Sequence, residues 1–389
     1  MRRWPIKSLG DLVDFRGGGT PRRDNADYWN GNIPWASVKD MKNQTLEATL
    51  ETITTKGLES SASNLIPKGT VIIASRVGLG KVAINRMPVA INQDLKALIP
   101  KTDELIPRYL LFFLLSKSEY FERAGVGATV KGLTIGDYQK LNISLPSPQE
   151  QQRIVKLLDE ADELRKLRAQ ADQRTDDLIP SLFHEIFGDL ETNVNNWTRS
   201  PLGKLATRVN VGYVGPTSKW YRNEGVPFLR TQNVGNLAIR RDEIKHIAPE
   251  FHNQIRKSQL KTGDIIISRV ISDEINCAIV PPEFEGANCA NIVIVTPGPQ
   301  LDSYFLAILI LAAGSQNKLV GVSVGSAQSV VNTGSFKKWV IPVPPLALQK
   351  EFASRVAEIR AIQSEQAASR RSLNKLFSSL LDRAFKGEI

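Results

Sequence analysis

The sequence predicts an α+β protein built twice over. Two mixed α/β blocks are each followed by a long helix, the helices pair antiparallel as a coiled coil, and the halves are related by a pseudo-two-fold axis. Three observations predict this. Motifs return in the same order, offset by 193 residues at the front of the unit and by 198 at its end. Two long polar stretches carry apolar residues at heptad spacing. Charge runs basic, acidic, basic along the chain.

The repeat comes first, because missing it would misread every element. WPIKSLGDL at Trp4 returns as WTRSPLGKL at Trp197, and GNIPWASVKDM at Gly31 as EGVPFLRTQNV at Glu224. IPKGTVIIASRV at Ile66 returns as LKTGDIIISRV at Leu260. In these, VIIAS and DIIIS read as short buried strands entered through Lys-Gly-Thr and Thr-Gly-Asp turns. PRYLLFFLLSK and DSYFLAILILAA read as core helices, and LNISLP and WVIPVP as strands that close each block. ISLPSPQEQQRI at Ile143 then returns as IPVPPLALQKEF at Ile341, where the prolines end one element and a helix opens.

In the first helix Ile154, Leu157, Ala161, Leu164, Ala171, Thr175, Leu178 and Leu182 fall at a and d heptad positions. In the second, Phe352, Ile359, Ile362, Leu373, Leu376 and Leu380 do the same. Arg168, Arg355 and Gln366 interrupt the seam, Arg165 reads as outward-facing, and Pro180 is placed to bend the first helix. Residues 151–187 span roughly 55 Å if helical. The first helix leaves block one for block two. If the two seams bury each other, the second must run back, which makes the pair antiparallel. The domains expected are 1–147 and 197–345 for the blocks, 148–196 for the central helix and linker, and 346–389 for the final helix.

Composition narrows the function classes. The chain of 389 residues suffices for two domains. Its apolar runs, 109–115 and 304–313, are about half the ~20 residues of a membrane helix, and no apolar stretch follows Met1-Arg-Arg-Trp-Pro as in a signal peptide. Cys277 and Cys289 form no CxxC pair and read as reduced, partly buried thiols of a cytoplasmic protein. Net charge is +10, with pI near 9.5. Residues 1–147 hold 20 Lys/Arg against 14 Asp/Glu, and 197–345 hold 16 against 10, while 148–196 hold 6 against 11. Two basic bodies joined by an acidic helix suggest a polyanion partner, most simply nucleic acid.

Catalytic motifs are missing. Phe15-Arg16-Gly17-Gly18-Gly19 fits a nucleotide-approach loop only literally, with no doubly wound pattern behind it. Val280-Pro281-Pro282-Glu283 and Val343-Pro344-Pro345-Leu346 lack the acid or amide and the aromatic residue of an amino-group methyltransferase. Gly78-Leu79-Gly80-Lys81 fails as a phosphate loop. Asp94-Leu95-Lys96 has nuclease-like spacing, but block two has Asn291-Ile292-Val293 there. His184, His246 and His252 are scattered, so neither a catalytic nor a metal site is expected. What remains suits reading DNA: loops in which Arg, Lys, Asn and Gln can meet base edges or phosphates. The candidates in block one are Thr20, Arg22, Arg23, Ser37, Lys39, Ser75, Arg76, Lys131 and Thr134. In block two they are Tyr213, Lys219, Arg222, Arg230, Thr231, Asn233, Ser268, Arg269 and Gln328.

The duplicated W-x-x-x-x-LG opening, the KGTVIIASR strand with its counterpart TGDIIISR, and the turns PSPQEQ and PPLALQ into long helices resemble the specificity subunit of type I restriction–modification systems. The resemblance covers nearly the whole chain. It implies that each block is a target recognition domain reading half of a split double-stranded DNA sequence. It implies helices that set the gap and hold two modification (methyltransferase) subunits, which bind S-adenosylmethionine. Restriction (translocase/nuclease) subunits using ATP and Mg can join them, and the chain itself needs no cofactor. One departure stands out: Val77-Gly78-Leu79-Gly80 follows Ser75-Arg76, whereas Val270-Ile271-Ser272-Asp273-Glu274 follows Ser268-Arg269 without glycine. Two other readings stay open, a coiled-coil scaffold or interaction protein with only non-specific DNA binding, and a self-contained restriction–methylation enzyme.

Overall fold

The structure, a computed structural model, describes residues 4–124, 132–190, 192–193, 195–271, 275–315, 320–321, 329–331 and 333–389. The chain divides into two compact units. The first comprises residues 1–170 with 367–389, the second residues 171–366.

In the first unit a five-stranded mixed sheet runs in the order Val13–Gly17, Leu95–Pro100, Val71–Ala74, Val82–Asn85, Thr45–Leu46. A second sheet of four strands has the order Glu51–Ile53, Trp29–Ala36, Val89–Ile91, Leu65–Ile66. The strand Val71–Ala74 shows why its sequence is apolar without alternation. Its residues are all buried, but Val71 and Ile73 enter one core with Tyr109–Leu114, while Ile72 and Ala74 enter another with Ala36 and Ile91. A strand covered on both faces needs apolar side chains at every position. The turn before it holds Gly69 at φ +85°, a conformation that favours glycine. Pro107–Ser116 forms the core helix, with Pro107 in its first turn, where a missing N–H does no harm.

The second unit repeats the plan. Its main sheet has the order Ala206–Val211, Ile292–Pro297, Ile265–Ser268, Cys277–Ile279, and its second sheet Tyr221–Arg222, Lys245–Ile247, Val226–Leu229, Asn288–Cys289. Ile265 and Ile267 face one core, Ile266 another. Gly263 has φ +83°, matching Gly69. Ser303–Ser315 is the core helix, its first turn capped by Asp302, which accepts from the Tyr304 and Phe305 N–H groups. Each block closes with a short antiparallel pair, Ile6–Ser8 with Asn142–Ser144 and Arg199–Pro201 with Val340–Pro342. The thiols are more deeply placed than expected: Cys277 and Cys289 are completely buried, and burial pushes Cys289 up to about 12 and Cys277 further still.

The long helices are Pro148–Asp176, Leu178–Phe187 and Leu346–Lys386. The first stretch breaks at Asp177, three residues ahead of Pro180, whose ring has no N–H to offer the Asp176 carbonyl. Where each helix starts, one glutamine is locked in. Gln151 Oε1 accepts from Ile106 N at 2.9 Å, and its Nε2 donates to Glu104 O at 2.7 Å and Pro146 O at 2.9 Å. Gln349 does the same in the second unit, accepting from Asp302 N at 2.9 Å and donating to Gln300 O at 3.1 Å and Pro344 O at 2.8 Å. Both are fully buried.

The buried stripe of the helices differs from the expected seam. Ile154, Ala161 and Phe352 are buried as expected, but Leu158, Ile179, Phe183, Phe377 and Leu381 are buried beside the half-buried or exposed Leu157, Leu178, Leu182, Leu376 and Leu380. Leu164 and Ile362 are also about half exposed, at 50% and 48%, and Ile359 and Leu373 are partly buried. The physical reason is that each helix also packs on a globular core: Leu158 joins Tyr109 and Phe112, and Phe183 stacks on Phe305. The apolar face is therefore wider than a two-in-seven seam, and its centre moves by one residue. Arg165 is likewise turned inward, donating to Asn374 Oδ1 at 2.9 Å and lying 4.4 Å from the Phe377 ring.

Replacing Gln151 by Leu strands one N–H and two carbonyls in the interior. It is expected to destabilise the chain by about 2–4 kcal/mol, whereas Gln152→Leu, at an exposed neighbour, should change little. Denaturant unfolding of the two variants checks this, and equal midpoints would contradict the assigned role.

Candidate nucleic-acid interface

In the first unit four turns meet at one end of the two sheets: residues 17–20, 37–40, 75–81 and 92–94. They are joined by backbone bonds. Gly19 N donates to Ile91 O, Asn92 N to Ala36 O and Ser75 N to Asp94 O. The first turn must be glycine because it lies on backbone: a Cβ at Gly18 would sit 1.9 Å from Ile91 O, and one at Gly19 2.9 Å from Ala62. Trp35 Nε1 and Ser63 Oγ both donate to Gly19 O, at 3.1 and 2.6 Å. Gly78 and Gly80, at φ +67° and +86°, shape the turn after Ser75-Arg76.

The candidate residues of this block take different places. Arg76 and Lys39 are exposed on the rim. Thr20 Oγ1 donates to Gln93 Oε1 at 2.6 Å. Arg22 is exposed and pairs with Asp24, at 2.8 Å. Arg23 pairs with Glu51 and lies 3.9 Å from the Trp29 ring, and its hydrogen bonds hold the Glu51 carboxyl below the usual range. Three are tied into the frame. Ser37 caps the 38–40 turn, with Asp40 Oδ2 accepting from Ser37 N at 2.8 Å. Ser75 is buried and donates to Asp94 O, and Thr134 caps the helix Ile135–Gln139. Lys131 lies outside the described residues.

The second unit builds the same rim with other side chains. Tyr213 N donates to Cys289 O, Ala290 N to Leu229 O and Asn291 N to Tyr213 O. Gly212 takes the place of Gly18, as a Cβ there would lie 2.7 Å from Cys289 O. The cap recurs: Asn233 Oδ1 accepts from Arg230 N at 3.0 Å. Asn233 is fully buried and also donates to Arg240 O and Asp242 O. Around it, Arg230 donates to Glu243 O with its Nε buried and unbonded, Thr231 donates to Asn291 O, and Tyr213 packs edge-on against Phe251. Arg222 bonds the Lys219 and Tyr221 carbonyls, and Lys219 lies 5.0 Å from the Trp220 ring. Ser268 is buried; Arg269 is partly buried, with an unbonded Nε. Gln328 lies outside the described residues, as do residues 272–274 of the glycine-free stretch after Ser268-Arg269.

The sequence reading passed over Gln93 and Lys96. Lys96 lies between Gly17 and Ile73, on the strand Leu95–Pro100 that pairs with both of theirs. It is the one cation in an apolar strand, LKALIP, a signal available in the sequence, where it is also the last residue of the nuclease-like triplet Asp94-Leu95-Lys96. In that triplet, Asp94 Oδ2 accepts from Asn92 Nδ2. Among the described residues no three His, Cys, Asp or Glu gather to hold a metal. A cavity of about 1150 Å³ in the second unit lies between Phe183, Ile308, Trp339 and Arg360, and none of the rim candidates lines it.

Gly18→Ala forces a methyl onto the Ile91 carbonyl and is expected to destabilise the first unit by about 3 kcal/mol. Gly136→Ala, where the nearest atom is Thr134 Oγ1 at 3.7 Å, is the control and should fold normally. Thermal unfolding compares them, and a Gly18 variant as stable as the control would show that the close approach is not required.

Comparison with known proteins agrees with this architecture. A family model described as the type I restriction modification DNA specificity domain matches residues 1–173 and again 195–371. The MjaIX type I restriction enzyme specificity subunit of Methanocaldococcus jannaschii is 25% identical over 416 residues, covering 99% of this chain and 93% of the relative. The EcoR124I/EcoR124II specificity subunit of Escherichia coli is 34% identical over 165 residues, 41% of each chain. Two solved structures share the fold. One, from work on complex assembly and conformational transition of the type I R-M system, has a TM-score of 0.62 at 18% identity, covering 100% of this chain and 99% of its own. The other, the type I restriction–modification S subunit of M. genitalium, has a TM-score of 0.53 at 14% identity, covering 98% and 96%. With the domain matched twice and in register with the internal repeat, the chain belongs to the family of type I restriction–modification DNA specificity subunits, the non-catalytic members of those systems.

Proposed function

We propose that each block reads one half of a split double-stranded DNA sequence through its rim, and that the helices hold two modification subunits and set the gap between half-sites. The observation that carries this reading is one frame with two decorations. The capped turn recurs in both blocks, yet it presents an exposed Lys39 in one and an exposed Gln232 in the other. A scaffold without sequence reading has no use for that difference. The proposed division is 1–147 and 197–345 for target recognition, with 148–196 and 346–389 as the connecting helical regions. Methyl donor, ATP and Mg belong to the modification and restriction subunits, and the complex works in the cytoplasm. No helix of the described residues is long and apolar enough to cross a membrane.

Antiparallel pairing of the helices is part of the proposal. Within the second unit Thr175 accepts from Gln366 Nε2 at 2.9 Å, Asp176 from Gln363 Nε2 at 3.2 Å, and Phe183 meets Phe352 with ring centroids 5.5 Å apart. Position rises along one helix as it falls along the other, which supports this pairing. Leu164, Leu167, Leu178, Ile362 and Leu376 stay about half exposed, and exposed apolar side chains on a helix suit a protein partner.

Two outcomes follow. Exchanging residues 1–147 for the block of a relative should change one half of the methylated sequence and spare the other, as read by methylome sequencing of cells carrying the modification subunits. If both halves change, the two-reader proposal fails. Adding seven residues to both helices, near Arg168 and Gln366, keeps the heptad phase and lengthens the strut by ~10 Å. That is about three base pairs of added gap, with weaker binding because DNA rotates as it rises. A folded, active variant that still methylates the original spacing would show that the helices do not set it.

A further inference from the structure

Lys96 is the residue that the two-reader proposal leaves without a task. Its ammonium is fixed by two carbonyls, Gln93 O at 2.8 Å and Leu95 O at 3.2 Å, so the remaining N–H has a set direction. Gly17 lies opposite it across the strands, and a Cβ there would be only 3.7 Å from Nζ. The absence of a side chain at 17 leaves that approach open. Arg76 is exposed on the turn that follows the paired strand: Ala74 lies opposite Leu95, and Ser75 N donates to Asp94 O at 2.8 Å, which brings the start of that turn beside the start of the Lys96 strand. Among the described residues neither cation has a carboxylate at ion-pair distance; Asp94 acts on Lys96 only from further away. Burial first, then the Arg76 charge, lower the Lys96 pKa, against Asp94. Two like charges held together under partial desolvation are relieved by one shared anion.

The second block shows that this lysine is not demanded by the frame. There the paired positions are Val211 and Val293, and Val293 is fully buried. The same sheet is completed by an apolar pair, so the cation at 96 is an addition.

We propose that Lys96 and Arg76 clamp a single backbone phosphate of DNA, and so orient the first block on its half-site without reading a base. The proposal rests on the DNA-reading function above and names two positioning residues within it. A neutral base edge offers acceptors but no charge, and would leave the cation pair unneutralised; a phosphate supplies the charge.

The test uses the chain assembled with its modification subunits. The probes are two duplexes, one carrying the motif that methylome sequencing identifies and one with that motif scrambled. Dissociation constants are measured across salt concentrations for wild type, Arg76→Ala, Lys96→Met and the double variant. The double variant should weaken binding to both duplexes by the same factor, on the order of tenfold. Its slope of log affinity against log salt should be shallower by about 0.9, the value for one phosphate, with the methylated sequence unchanged. The single variants should be non-additive, because both cations hold one group. An unchanged slope, a loss near twice that size with additive singles, or an altered base preference at any position would each overturn the clamp. Equal binding of both duplexes by the wild-type complex would instead count against the DNA-reading function, while the slope of the double variant would still decide the clamp. Arg76 is exposed, so its variant keeps the test open should Lys96→Met fold poorly.

Discussion

Everything that this protein does with its helices depends on a buried glutamine at the start of each one. Gln151 and Gln349 have no contact with solvent, and each uses its amide to tie three backbone groups together. A side-chain amide can both donate and accept, so one residue can bridge the loop before the core helix, the proline turn and the first turn of the long helix. In a dry interior such a set of bonds has few alternatives, because any shift leaves a polar group unpaired. The direction in which each long helix leaves its block is therefore fixed by chemistry at its root.

The same economy governs the rims. Glycines 18 and 212 let one turn lie on the backbone of the next strand, and Asp40 and Asn233 hold the following turn by accepting from the backbone N–H three residues earlier. These contacts involve backbone and one capping side chain, so the residues between them are free to vary. Lys39 can become Gln232 with the turn kept. A recognition surface that must diverge while its frame persists is served by putting the frame's bonds in the backbone.

The helices combine a structural face and an open one. Ile154, Leu158 and Ala161 are in the first unit's core with Phe377, Leu381 and Ala384, and Phe183 and Phe187 meet Phe352 and Phe305 in the second. Polar groups interrupt this stripe: Asp162 with Arg165 in the first unit, Thr175 with Gln363 and Gln366 in the second. Hydrogen-bonded layers of this kind favour one register over its neighbours, since a slip would bury them unpaired. The leucines left half exposed do not contribute to either core, which leaves them available to another protein.

Much of this was determined by the sequence alone. The duplication, the order of strands and helices, the paired glutamines and the absence of catalytic motifs follow from offsets and periodicities that local physics imposes. The family resemblance rests on those same short stretches. The tertiary structure decided what depends on neighbours distant in the chain. Heptad spacing places Leu157, Leu178 and Leu376 on the seam, but contact with a globular core as well as a second helix turns Leu158, Ile179 and Phe377 inward instead. Asn233 looks like a polar loop residue in sequence, and is buried only because other segments close over it and accept its hydrogen bonds. The most informative rim position was hidden for the same reason: Gly17, Arg76 and Lys96 are far apart in sequence and adjoin only once three strands are hydrogen-bonded side by side, which no local period encodes.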